Sequence, residues 1–159
     1  MAFATDLQVL GAHFVTWLTT DMTSIDDVDG DDAFAAVVYG EPRVVQVWPT
    51  LSVQPQRKLR DIKGTRKYEL TFHIDLVLYH GQVADTLAIQ AKAHKRMEAV
   101  EGWVLADLQW NFDDTGDVSK DKVIFGFPVE LDHPVVLAPE QELWSASRLR
   151  LQGKSEEVF

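Results

Sequence analysis

The chain has no cysteine, which excludes disulfide bridges and thiolate metal sites. It also lacks any apolar run near the roughly 20 residues that a membrane-spanning helix needs. Positive charge is scarce: 15 Lys and Arg stand against 25 Asp and Glu, a formal net charge of -10. So acidic a surface repels polyanions, which argues against nucleic-acid binding by the whole surface and leaves only a local basic contact open. The opening MAFATDLQVLGAHF has no basic leader and meets Asp6 early, so no signal peptide is expected. What remains, at 159 residues with 46% hydrophobic and 25% charged content, is an ordinary folded chain of one domain.

Hydrophobic spacing predicts a helix over residues 4–20, with Leu7, Leu10, Phe14, Trp17 and Leu18 as its inner stripe and Thr5 or Asp6 as its cap. AFAAVVYG (33–40) is ambiguous between helix and strand, whereas the valines of RVVQVWP (43–49) favour a strand ended by Pro49. YELTFHIDLVLYH (68–80) alternates: Tyr68, Leu70, Phe72, Ile74, Leu76 and Leu78 point one way, and Glu69, Thr71, His73, Asp75 and Tyr79 the other. That period of two marks a half-buried antiparallel strand, on the order of 43 Å long at ~3.3 Å per residue. Gly81 closes it. A second helix follows, with Leu87, Ala91, His94, Met97 and Val100 inside and Gly102 as its terminator.

WVLADLQWNF (103–112) either continues that helix or becomes a strand by Leu108. After the loop DDTGDVSKD, KVIFGFPVEL returns to alternation, with Pro128 predicting an edge position or a bulge. ELWSASRLRLQG reads as a last strand and KSEEVF as a charged tail. The order predicts an α+β fold: a mainly antiparallel sheet of about four to six strands with two main helices packed on it.

Few residues carry recognisable chemistry. The run Asp26, Asp27, Asp29, Asp31, Asp32 suggests a calcium loop, but with Gly30 at the sixth position Ile25 and Ala36 fall where ligands are required. A solvated acidic loop fits better. GKS (153–155) lacks the earlier glycine of a phosphate loop, Arg148 standing there instead. His73 and Asp75 share a strand face and form the one acid–base pair on offer, which a polar solvent-facing strand explains more simply. His94 lies on the helix stripe and is expected as a core histidine. No paired carboxylates, nucleophile elbow or HExxH pair is present. The chain is therefore expected not to be an enzyme, and neither a cofactor nor a metal is implied.

The anomaly is the stretch QRKLRDIKGTRK, where Arg57, Lys58, Arg60, Lys63, Arg66 and Lys67 crowd together in an acidic chain. It reads as a projecting loop. With Leu59 and Ile62 its only large apolar residues, it lacks aromatics for base stacking and suits phosphate backbone or an acidic protein rim.

The order of elements over residues 4–137, and the strand of form Y-x-L-x-F-x-I-D-L-V-L-Y at 68–79, resemble tail-terminator proteins of long, flexible-tailed bacteriophages. The resemblance implies a single domain of that type over 1–159, with 142–159 an added strand and tail. It implies a structural virion protein, made in the host cytoplasm, that forms a homo-oligomeric ring, a hexamer, at the head-proximal end of the tail tube. Such a ring ends tube polymerisation and joins tail to head through contacts with itself, the tube protein and the head–tail connector. Six copies of the basic loop would then meet at the lumen, where a non-specific contact with DNA backbone is open to them. The acidic 24–32 loop and the basic loop become complementary candidates for a subunit contact. Two alternatives stand beside it: a neck or head-completion adaptor, and, from another class, a small cytosolic enzyme or ligand-binding domain using His73 and Asp75.

Overall fold

A computed structural model describes residues 7–21, 33–82, 86–106, 109–112, 122–137 and 143–158. Its elements in chain order are α1 (Leu7–Asp21), β1 (Ala36–Tyr39), β2 (Thr50–Ile62), β3 (Lys67–Gln82), α2 (Thr86–Ala106), β4 (Gln109–Phe112), β5 (Lys122–Asp132), β6 (Val135–Leu137) and β7 (Leu143–Val158). The expected α+β class is observed. The strands form one sheet in the order β1-β2-β3-β7-β5-β4, with β6 also on β7. Every pairing is antiparallel except β1 with β2. The sheet has seven strands, three of them only three or four residues long, too short for alternation to announce.

Both helices cover one face. Leu10, Phe14 and Leu18 of α1 and Met97, Val100 and Val104 of α2 join Leu51, Val53, the even-numbered apolar residues of β3, Leu149 and Leu151 in one buried core. Trp17 and Trp103, with ring centroids 4.3 Å apart, bridge the helices. Each fully buried Leu, Ile or Phe contributes about 1.5–3 kcal/mol, so this face supplies most of the driving force. Gly11 lets α1 approach the sheet: a Cβ there would lie 2.5 Å from Pro55 Cγ and 2.6 Å from Tyr39 Cε2.

Four expectations are corrected. Residues 43–49 form no strand. Parallel neighbours need a crossover, and the backbone between β1 and β2 is occupied in making one across the opposite face. There Val45 and Trp48 pack on the smaller cluster Val77, Tyr79, Trp144 and Ala146. α2 runs through Gly102 to Ala106, because burying Val104 and half-burying Trp103 outweighs a glycine cost of about 0.5–1 kcal/mol. Its inner stripe is Ala93, Met97, Val100 and Val104, and Ala91 and His94 are exposed. Finally, residues 143–158 are no appendage: β7 is the central strand, and Lys154 to Val158 pair with Thr71 to Lys67 of β3. By contrast Pro128 sits beside a bulge, on a part of β5 whose outer edge has no strand among the described residues, as its missing N–H requires.

The cap at Thr5 or Asp6, Leu87's side chain and the loop 113–121 lie outside what is described.

Candidate functional site

The basic stretch is a hairpin, which corrects the expected loop. Arg57, Lys58 and Arg60 belong to β2, Lys67 begins β3, and only Lys63 and Arg66 lie in the connecting turn. The Lys63 amide donates to the Lys67 carbonyl at 2.9 Å and closes it. Together with the end of β7, β2 and β3 form a three-stranded blade.

A bulge decides where the charges point. Up to Gln54, the even residues of β2 pair with odd residues of β3 on the face away from the helices. The register slips between Pro55 and Arg57, and the parity inverts. Arg57 therefore shares the outer face with its partner His73, whereas Lys58 and Arg60 sit opposite Phe72 and Leu70 on the helix-side face. The six cations wrap an edge and do not make one flat patch.

Some of this charge is locally matched. Lys63 Nζ lies 2.8 Å from Asp61 Oδ2, and that hydrogen bond raises the Lys63 pKa. Arg60 covers the Tyr68 ring at 5.9 Å. On the neighbouring strands Lys154 Nζ reaches Glu69 at 3.6 Å. These are exposed pairs, worth little to stability.

The edge itself is open. β1 pairs with β2 only from Thr50 to Val53, so residues 54–62 have no strand on that side among the described residues. Such an edge can accept a further strand, although the Gln54 carbonyl already accepts from Gln56 Nε2 at 3.3 Å, and Pro55 with the flanking cations blunts indiscriminate pairing. Leu59 (46% exposed) and Ile62 (75%) stand out between those cations.

His73 and Asp75 do share the outer face, where Asp75 is engaged by Arg150. Asp75, 3% exposed, accepts from Arg150 Nε at 2.9 Å and Nη2 at 3.3 Å. His73 is held below its ordinary pKa by burial, then by Arg57 and Arg150. Arg150 also approaches Glu130 at 3.6 Å, and Arg148 bonds Asp132 at 2.8 and 3.1 Å. Sequence reading missed this ion-pair network, although the alternation in SRLRLQG places both arginines on one face.

Asp26, Asp27, Asp29, Asp31 and Asp32 lie outside the described residues. Among the described residues no group of three or more His, Asp or Glu is arranged to hold a metal ion, and no helix is long and apolar enough to cross a membrane. Compared with protein-family models and with curated proteins, the chain matches none.

Proposed function

We propose that the chain is a ring-forming structural subunit at the head-proximal end of a phage tail tube, where it ends tube growth and docks the head connector. The observation that carries this reading is the open, basic edge of β2 over residues 54–62, held out on a blade in a chain of net charge -10. A strand edge with no neighbouring strand among the described residues is a ready site for a second chain, since main-chain hydrogen bonds supply affinity and side chains supply selectivity.

Like charge at Arg57, Lys58 and Arg60 disfavours pairing of this edge with itself. That favours a head-to-tail contact between unlike surfaces, the kind that closes into a ring when its rotation permits. The opposite side of the sheet offers an unlike surface: among the described residues β5 has no strand beside it beyond its pairing with β4, and it carries Glu130 and Asp132, each shared with an arginine of β7. Repeated around a lumen, the hairpin cations face whatever polyanion passes, through phosphates and without base contacts. The Y-x-L-x-F-x-I-D-L-V-L-Y strand, which forms the blade's middle, is the family-like element that supports the tail assignment. No role falls to His73 and Asp75 beyond the outer-face network.

The test is charge reversal. Arg57→Glu, Lys58→Glu and Arg60→Glu together should leave the monomer folded by circular dichroism and abolish ring formation and tail–head joining in complementation. Unchanged rings and virion yield would reject the reading.

A further inference from the structure

At the end of the sheet opposite the hairpin turn, two histidines meet one hydroxyl and a third stacks on one of them. Ser147 Oγ of β7 lies 2.7 Å from His80 Nε2 of β3 and 2.6 Å from Nδ1 of His133, which stands in the turn between β5 and β6. Ser147 is fully buried and His80 is 4% exposed, whereas His133 reaches solvent. His94 of α2 stacks on His133 with ring centroids 4.0 Å apart and planes tilted by 33°. The same turn is tied to β7 by its backbone: the Ala146 amide donates to the Pro134 carbonyl at 3.1 Å.

A hydroxyl has one proton to donate and can accept through its lone pairs. Ser147 therefore donates to one imidazole and accepts from the other. When His133 Nδ1 is bare, Ser147 donates to it and accepts from His80 Nε2–H. Protonating His133 puts a hydrogen on Nδ1, turns the Ser147 hydroxyl round and moves the His80 proton to Nδ1. That nitrogen is buried without a hydrogen-bond partner among the described residues. A further proton on His80 aims two N–H groups at Ser147 and strands its hydrogen in the interior, which is costly for a buried polar group.

The charges around the cluster act in the same direction on its inner side. Burial, then Arg96 of α2, then His133 and His94 hold His80 at about 3, so it stays neutral. Burial and His94 also lower His133, while Asp132 at the end of β5 and Glu98 of α2 oppose them. Arg148 of β7 engages that Asp132 at 2.8 Å. His94, stacked on His133 at 4.0 Å, disfavours a charge on that ring.

We infer that His80, Ser147, His133 and His94 form a proton-released clasp that holds residues 133–137 to β7 and α2 at neutral pH and frees them in mild acid. The clasp belongs to the single subunit and is independent of ring formation.

Amide exchange of Ala146 in the full chain reads the clasp directly, because that amide is bonded to Pro134. Its protection, corrected for intrinsic exchange, should fall about tenfold or more between about pH 7.5 and about pH 5.5, the range in which histidine titrates. In His133→Asn the amide side chain can take the Ser147 bond but carries no titrating proton, and the fall should shrink to about threefold or less. His94→Gln, an exposed change that leaves the Ser147 bonds in place, should give an intermediate fall. Protection that does not change with pH in the parent chain, or falls equally in parent and His133→Asn, would overturn the clasp.

Discussion

Arg150 grips Asp75 across neighbouring strands, Nε to Oδ1 at 2.9 Å and Nη2 to Oδ2 at 3.3 Å, and the carboxylate beneath is almost wholly buried. The side chain of Arg150 is itself 33% exposed, so water screens part of the pair. Removing one partner strands the other. Arg150→Met should cost about 2 kcal/mol in urea unfolding, below the ~3–5 kcal/mol of a fully enclosed pair. Replacing both, Asp75→Val with Arg150→Val, should recover much of that loss. A double variant as unstable as the single one would contradict this account.

Two glycines should respond with opposite sign. Gly11→Ala drives a methyl into Pro55 and Tyr39, both stiff rings, and should destabilise by about 1–3 kcal/mol as α1 is pushed off the hairpin base. Gly102→Ala meets nothing within 4 Å on an exposed helix position and should stabilise by about 0.5–1 kcal/mol. Thermal melts of the two variants decide the matter.

Global stability should fall in acid through His80. Its pKa is about 3 in the fold and about 6.5 when unfolded, so between those values the unfolded chain binds the extra proton. The contribution is complete above about pH 6.5 and diminishes as pH falls toward about 3, with a loss of about 2 kcal/mol by about pH 5. Urea midpoints across that range should track this fall, and His80→Leu should flatten it.

Deleting residues 153–159 should not act as trimming a tail. It uncovers the distal third of β3 and leaves its edge unpaired, so the expected result is aggregation or loss of the cooperative melt. A soluble truncation with an unchanged melting temperature would contradict the central placement of β7.

The sequence made β3 legible because its alternation persists over the whole strand, and α1 because Leu10, Phe14 and Leu18 recur at helical spacing. Pro128 announced its bulge by lacking a donor. β7 was legible as a strand in ELWSASRLRLQG, but its central place and its extension through KSEEV were hidden: strand order is set by pairing between distant segments, and the polar end carries little local signal. The valines at 43–49 misled because a crossover can bury Val45 against the sheet's outer face without joining its ladder.

At the candidate site the crowding of cations was readable. Their division over two faces was not, since one bulged residue at Gln56 reverses the parity of everything after it. The histidine–serine cluster was equally invisible: residues 80, 94, 133 and 147 meet only because β3, α2, the β5–β6 turn and β7 close on one another.

The central claim is that this chain assembles through the open edge of β2. Negative-stain imaging of the full chain, with and without tube protein, paired with native mass measurement, tests it most directly. The account predicts annular particles of sixfold symmetry, lost on charge reversal at Arg57, Lys58 and Arg60. A monodisperse monomer that never joins tube protein, or rings indifferent to that reversal, would contradict it.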